Sequence, residues 1–137
     1  MKTLALKSDP STPLGTGGTI VCWGDDYYGV DELIPPAGND FNAISAGYYY
    51  SLALKNDGTI VGWGGDWWGQ VSDIPEGNDF VAISAGGFHI VTLTNDGRIL
   101  SWGWNDYDPP PYPVPEGIVF ARDVAAGWKF SVALKAR

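Results

Sequence analysis

The chain reads Gly18-Thr19-Ile20-Val21-Cys22-Trp23-Gly24, and the same heptapeptide returns as Gly58-Thr59-Ile60-Val61-Gly62-Trp63-Gly64. A looser third copy follows as Gly97-Arg98-Ile99-Leu100-Ser101-Trp102-Gly103, so that the three tryptophans lie 40 and 39 residues apart. A repeat of this length indicates one supersecondary unit per copy, because a single unit is too small to bury its own apolar faces. The repeat therefore decides the fold class.

A second block recurs between these heptapeptides. It spans Phe41–Gly47 and Phe80–Gly86, and a diverged copy with one extra residue runs from Phe120 to Gly127. Three variable residues and an apolar run follow each block, and the turn Asn56-Asp57-Gly58 leads into the next heptapeptide. Asp-Gly is typical of hairpin turns because glycine adopts positive φ at little cost. Calcium binding by this turn is disfavoured, because the alternating oxygen ligands of a calcium loop are missing.

The pattern predicts an all-β fold with very little helix, since no segment keeps a helical period. Each unit of about 40 residues would form a small sheet of three or four strands. Radial stacking of such sheets into a β-propeller buries both faces of every sheet against its neighbours. Trp23, Trp63 and Trp102 share one register, so we interpret them as packing between blades rather than as ligand platforms.

The run from Ala46 to Gly64, followed by Gly69-Gln70, resembles the blade repeat of the regulator of chromosome condensation superfamily. The short period is most similar to the bacterial branch that contains beta-lactamase inhibitory protein II. The resemblance extends from about Gly18 to Lys135 and implies a non-catalytic propeller that binds other molecules through its loops. The chain departs from the family at the third variable position after Ala-Gly. The family usually has histidine there, whereas this chain has Tyr50, His89 and Phe130.

The domain organisation follows from the repeat. Residues 1–17 form a leader with an extra copy of the second strand, Thr3–Lys7, and residues 18–137 hold three repeats, at about 18–57, 58–96 and 97–137. Joining the two ends completes one blade, which gives three blades per chain. Propellers usually have about 4–8 blades, so we expect two copies to close head to tail into a homodimer of six. The extra strand competes with Phe130–Lys135 for one slot; either it is displaced, or the C-terminal copy pairs elsewhere.

Composition excludes several classes of function. Among 137 residues, 16 are acidic and 8 are basic, which gives a net charge of −8 and argues against binding to nucleic acid or anionic membranes. No apolar stretch is long enough for a membrane span, and the N-terminal apolar run is too short for a secretory signal. A cytoplasmic chain, or a piece cut from a larger protein, is therefore the default expectation. The single cysteine, Cys22, cannot form an intrachain disulfide.

No set of residues indicates catalysis. His89 is the only histidine, and Cys22 has no basic neighbour in sequence that would lower its pKa. Cysteine–histidine pairs, metal-ligand clusters and phosphate-binding glycine loops are not evident in the sequence. We therefore expect a protein that is not an enzyme and that needs no cofactor or metal.

Two variable loop sets carry the candidate binding residues. The first set follows Trp-Gly and the second follows Ala-Gly, and both are rich in tyrosine and tryptophan, the usual interface hot spots. The resemblance implies that both sets form the partner-binding face. On this basis the predicted binding residues are Tyr28, Trp68, Tyr107, Tyr49, Phe88 and Lys129. Tyr50, His89 and Phe130 are interpreted as structural.

These features favour a propeller module that presents an aromatic, acidic loop face to a protein partner. A carbohydrate-binding propeller is the first alternative, since Trp and Tyr flanked by Asp and Asn also suit sugar rings. A purely structural or engineered fragment that binds only itself is the second.

Overall fold

Ten antiparallel strands form the regular structure of the computed structural model, which describes residues 2–8, 17–26, 29, 33–104, 114–118 and 120–136. No α-helix occurs in these ranges, so the all-β prediction is confirmed for them. The described part of the chain accordingly offers no helix of the length and hydropathy that a membrane crossing requires. The strands are β1 (Lys2–Ser8), β2 (Gly18–Gly24), β3 (Phe41–Ala46), β4 (Tyr50–Lys55), β5 (Ile60–Gly64), β6 (Phe80–Ala85), β7 (His89–Thr94), β8 (Ile99–Gly103), β9 (Ala121–Ala126) and β10 (Ser131–Lys135).

Hydrogen bonds group the strands into a five-stranded sheet (β1–β5), a three-stranded sheet (β6–β8) and a two-stranded sheet (β9–β10). Because β2 and β3 share only one residue pair, we describe the two parts of the five-stranded sheet as separate units, the N-terminal sheet (β1–β2) and the second sheet (β3–β5). They are followed along the chain by the third sheet (β6–β8) and the C-terminal sheet (β9–β10). The N-terminal and second sheets are joined by a single residue pair, Gly18 with Phe41, whereas strands within a sheet pair along most of their length. We call β3, β6 and β9 the inner strands, β1, β4, β7 and β10 the middle strands, and β2, β5 and β8 the outer strands. The turns Asn56–Gly58 and Asn95–Gly97 connect the middle and outer strands, and Gly58 and Gly97 have φ values of 84° and 85°.

The apolar cores lie between neighbouring sheets. Trp102 is 3% exposed and packs in a cluster with Leu52, Leu54 and Ile60 of the second sheet. Trp63 is 8% exposed and packs with Ile20 and, through the partly buried rim of its cluster, with residues of β1. These two tryptophans therefore pack between sheets, as the sequence predicts. Trp23 differs, because it is 49% exposed and no described sheet covers it.

The extra N-terminal strand is used rather than displaced. β1 pairs with β2 from Lys2 opposite Gly24 to Ser8 opposite Gly18. β10 does not move elsewhere in response, since it pairs with β9 in the C-terminal sheet. Both ends of the described chain therefore carry a two-stranded sheet, and the expected sharing of one blade between the ends does not occur within a single chain.

The third copy of the second block aligns one residue later than the sequence indicated. Phe41 pairs with Lys55 and Phe80 with Thr94, but the residue opposite Lys135 is Ala121, not Phe120. The extra residue therefore lies before the strand. As a result Phe120 is 68% exposed with φ of 58°, whereas Phe41 and Phe80 are buried.

Candidate functional site

Backbone hydrogen bonds unite the two variable loop sets on one face of the molecule. The amide of Tyr48 donates to Gly87 O at 3.2 Å, and the amide of Gly87 donates to Trp128 O at 3.2 Å, which links the Ala-Gly turns of three successive sheets. The loops after Trp-Gly join the same face, since the amide of Trp104 donates to Phe88 O at 2.9 Å. We call this surface the loop face. The sheets hold it in place, so its side chains are positioned by a rigid frame.

Within the part of the chain that the structure describes, seven aromatic rings on the loop face form one continuous network. They come from both loop sets and from three successive sheets, and centroid distances between neighbouring rings run from 4.1 to 6.2 Å. Edge-to-face and stacked contacts of this kind are favourable beyond the area that they bury. The members of the network are Tyr48, Tyr49, Trp67, Trp68, Phe88, Trp104 and Trp128.

Phe88 lies at the centre of this network. Its ring is 5.8 Å from Tyr48, 5.7 Å from Trp128 and 5.9 Å from Trp104, each in an edge-to-face arrangement. Tyr48 in turn contacts Trp128 at 4.8 Å. Phe88 is half-buried, whereas Tyr48 and Trp128 are exposed. The centre of the network is thus fixed by packing, and its outer rings face solvent.

The loop from Gly65 to Ile74 carries two of the exposed rings. The Asp66 carboxylate accepts hydrogen bonds from the amides of Val71 and Ser72, and the amide of Trp68 donates to Gln70 Oε1 at 2.8 Å. Gln70 is fully buried, and its carbonyl accepts a hydrogen bond from Trp102 Nε1 of the third sheet. Gln70 therefore ties the loop that holds Trp68 to the core between two sheets.

The predicted binding residues fall into three groups. Tyr49, Trp68 and Phe88 all belong to the aromatic network, so the structure brings them together. Lys129 is exposed, follows Trp128 in the same turn and lines a neighbouring groove. Tyr28 and Tyr107 lie outside the described residues.

The remaining four rings of the network lie in the two predicted loop sets and are not among the predicted binding residues. Their side chains are Tyr48, Trp67, Trp104 and Trp128. The signal that could have found them is the aromatic density of both loop sets taken together. One representative per loop was chosen instead, and a connected surface uses several.

The residues at the third variable position after Ala-Gly are predicted to be structural. Two of the three form links between neighbouring sheets, in agreement with this prediction. Tyr50 donates from its hydroxyl to Gly86 O at 3.0 Å and to His89 O at 2.8 Å in the next sheet, and His89 Nε2 lies 2.9 Å from Ser131 Oγ. Lys2 occupies the same register position in β1, and its Nζ donates to Gly47 O at 3.0 Å. Phe130 is different, since it is exposed and carries no hydrogen-bonding group.

Burial sets the ionisation of three groups near these junctions. It raises the pKa of Tyr50 and lowers the pKa of His89, so both side chains are neutral near pH 7. Burial also raises the pKa of the Cys22 thiol, although a hydrogen bond with the Trp63 side chain partly offsets this effect. A raised thiol pKa disfavours the reactive thiolate.

An open groove of about 300 Å³ separates the third and C-terminal sheets. Apolar side chains dominate its lining, with Val91 and Ile99 on one wall and Val124 on the other. Within the described ranges, no three His, Cys, Asp or Glu side chains gather closely enough to hold a metal ion.

Comparisons with known proteins agree with this architecture. The sequence profile of the family described as "Regulator of chromosome condensation (RCC1) repeat" matches residues 41–66 and 80–108. No curated protein sequence aligns significantly with the chain. The matches to the profile and to solved structures support an RCC1-like propeller family, while the bacterial branch stays a prediction.

Three solved structures illustrate the likeness. The ectodomain of the Physcomitrella patens receptor kinase CR4 is 27% identical with a TM-score of 0.72, over 98% of this chain and 35% of that one. A structure of Kap60 bound to yeast RCC1 (Prp20) gives 21% identity and a TM-score of 0.64, over 85% and 37%. Prp20p from Saccharomyces cerevisiae gives 20% and 0.57, over 73% and 30%. The chain thus spans about a third of the length of these structures, and the two yeast likenesses concern the fold alone.

Proposed function

We propose that this chain is a non-catalytic propeller module that binds a protein partner through its loop face. The observation that carries the proposal is the network of seven aromatic rings, which extends across three successive sheets on a hydrogen-bonded frame. Exposed aromatic rings are costly in water unless they bury a partner, and tryptophan and tyrosine are the commonest hot spots of protein interfaces.

Acidic charge accompanies the aromatic rings. The net charge is −8, and the exposed Asp66 lies directly before Trp67 on the loop face. An aromatic centre with acidic residues around it fits a partner surface that has apolar pockets and basic residues at its rim. The predicted residues Tyr49, Trp68, Phe88 and Lys129, with Tyr28 and Tyr107, remain the proposed contacts within this surface.

The similar proteins offer a precedent for protein partners. Yeast RCC1 has been solved bound to Kap60, and Prp20p has binding properties toward Gsp1p and histones. For this chain we take over only the class of partner, a protein. The net charge of −8 favours a basic surface on that partner.

We propose further that the chain associates with itself head to tail. Both terminal sheets have only two strands and expose apolar side chains, and twofold assembly is the commonest closed symmetry of oligomers. The sequence-based count gives six blades for two copies whose ends share a blade. This count stays a prediction.

The loop face is tested by capture of proteins from a lysate of the organism that encodes the chain. We expect one dominant protein with the wild-type chain, and affinity lowered by about 1–3 kcal/mol in each of Tyr48→Ala, Trp67→Ala and Trp68→Ala. Phe120→Ala is the matched control, because Phe120 is an exposed aromatic residue beside the Gly97 turn and outside the network. Equal capture by all four variants would contradict the proposal, and binding to a glycan array alone would favour the carbohydrate alternative.

A further inference from the structure

The two ends of the stack of sheets expose apolar faces. On β10, Val132 and Leu134 are 55% and 62% exposed, although their counterparts in the second sheet, Leu52 and Leu54, are almost completely buried. We call this surface, with Phe130, the C-terminal end face. Phe130 and Val132 also line the groove beside the third sheet, so the end face is continuous with that groove. On β2, Val21 and Trp23 are exposed and form the N-terminal end face. Soluble proteins seldom leave such faces uncovered.

The internal junctions show what each end face is built to contact. Trp102 packs on Leu52 and Leu54 of the preceding sheet. Trp63 packs in the same way, because Leu4 and Leu6 of β1 belong to the rim of its cluster. The rule is that the outer-strand tryptophan of one sheet covers the middle-strand apolar residues of the sheet before it. Trp23 is the tryptophan of the N-terminal sheet, and Val132 and Leu134 are the corresponding residues of the C-terminal sheet.

Polar links between sheets distinguish the possible occupants of the C-terminal end face. At two internal junctions a middle-strand residue donates to the Ala-Gly turn of the next sheet, as Lys2 does to Gly47 O and Tyr50 to Gly86 O. At the third junction the equivalent residue, His89, contacts Ser131 Oγ. The inner-strand serine also accepts a bond, since the amide of Ala85 donates to Ser45 Oγ and the amide of Ala126 to Ser84 Oγ, both at 2.9 Å.

The C-terminal sheet lacks both of these polar groups. Phe130 stands at the position of Tyr50, and Ala125 stands at the position of Ser45 and Ser84 in the observed register. A further complete repeat would place its Ala-Gly turn and its alanine amide against apolar side chains. Among the described residues, the N-terminal sheet consists of β1 and β2 and brings neither an Ala-Gly turn nor an inner-strand alanine amide to such a contact. Its composition matches what the C-terminal end face can satisfy.

We infer that the C-terminal end face binds the N-terminal sheet of a second copy of this chain, with Trp23 of that copy covering Val132 and Leu134. The inference rests on the proposed head-to-tail association and specifies its junction. Each terminal sheet keeps its own strands and packs face to face with the other, instead of merging into one shared blade. A closed pair of chains would then hold eight units of two or three strands, four from each chain, which is within the usual range of blade numbers in propellers.

The test is the molar mass of the full chain and of variants in solution. The wild type should have twice the 14.7 kDa of one chain at micromolar concentration, and Trp23→Arg and Leu134→Arg should each give 14.7 kDa. Both side chains are about half exposed or more in one chain, so each variant should fold as a monomer with an unchanged far-ultraviolet spectrum. Val81→Arg is the control, because Val81 is an equally exposed strand residue outside both end faces, and it should remain dimeric.

An equimolar mixture of Trp23→Arg and Leu134→Arg examines the head-to-tail geometry. One intact face of each variant can meet the other, so the mixture should regain a species of twice the monomer mass, while each variant alone does not. A dimer that only Leu134→Arg disrupts would be a contact between two C-terminal faces and would overturn the inference. Expulsion of β1 or β10, seen as rapid amide exchange in the dimer, would also overturn it in favour of a shared blade.

These outcomes separate the inference from the proposed function. A dimeric wild type with dimeric Trp23→Arg and Leu134→Arg rejects the junction and leaves self-association in place. A monomeric wild type rejects both. Trp67→Ala should keep the dimer mass and lose partner capture, so the loop face is judged independently of the mass.

Discussion

His89 couples the stability of the fold to pH, because it is the only histidine and it is fully buried. Burial lowers its pKa below the ordinary value of 6.5, so the unfolded chain takes up a proton at a higher pH than the folded chain does. The stability that the neutral His89 side chain contributes is therefore fully present above about pH 6.5. This contribution falls as the pH drops through that value and is lost below the pKa of His89 in the folded chain. We expect the melting temperature to fall between about pH 8 and pH 5.

His89→Tyr provides the control for this pH dependence. Tyrosine already occupies the equivalent position in the second sheet as Tyr50, so the substitution suits the junction. The variant should melt at nearly the same temperature across this pH range. An equally steep decline in the variant would assign the effect to other groups. Asp57 and Asp96 have pKa values lowered by hydrogen bonds with Thr59 and Thr94. The stability that these carboxylates contribute is therefore present above about pH 4 and is lost only as the pH falls below that value, outside the range of this test.

Two tryptophans of the same repeat allow packing between sheets to be distinguished from the loop face. Trp63→Ala removes a buried ring between two sheets and should lower the free energy of unfolding by about 3–5 kcal/mol. Trp68→Ala removes a partly exposed ring that stacks on Trp104 at 5.7 Å, and it should cost about 1 kcal/mol. Thermal melts compare the two variants without knowledge of the partner. Equal destabilisation would show that Trp68 belongs to the packing between sheets.

At the level of strands, the start of β9 carries a local strain that can be relieved. Phe120 adopts φ of 58°, a left-handed conformation that costs a side-chain-bearing residue roughly 1–2 kcal/mol, and its ring is exposed. Phe120→Asn should raise the free energy of unfolding by about 0.5–1 kcal/mol, because asparagine tolerates this conformation. Phe120→Val is the opposite control, since a β-branched residue should lower it. Denaturant unfolding of both variants measures the difference.

The strands themselves could be predicted because the repeat fixes them three times over. The recurring heptapeptide and the Asn-Asp-Gly turns placed β2, β5 and β8 and the two turns correctly. The alignment of β9 could not be read in the same way. An extra residue before Ala121 leaves the spacing ambiguous, and only the pairing with Lys135 decides which residue enters the core.

The sequence indicates which loops could form a binding face, and the contacts between their rings come from the structure. It brings the predicted residues Tyr49, Trp68 and Phe88 into one network, and their role in binding stays a prediction. The contact of Trp128 with Tyr48 at 4.8 Å could not be predicted, because it joins different repeats. Such a distance depends on how neighbouring sheets are rotated, which no pattern within one repeat specifies.

On the scale of the whole molecule, the ends are what the sequence left open. β1 and β10 have nearly the same apolar pattern, so the pattern alone does not decide which of them pairs with β2. β1 does so because β2 is the next strand along the chain, whereas β10 already pairs with β9. Local pairing of this kind closes short loops at little entropic cost.

The junctions at Trp63 and Trp102 are built alike, because at each of them the tryptophan of one sheet packs with leucines of the sheet before it. In such an array every internal unit adds a similar amount to the free energy of unfolding, so the number of units can change without a change of fold. Duplicating residues 58–96 in the gene would add one strand of each kind, β5, β6 and β7, and with them one more junction in which a tryptophan packs on the sheet before it. The number of sheets in the chain can therefore change by one whole repeat in a single genetic event.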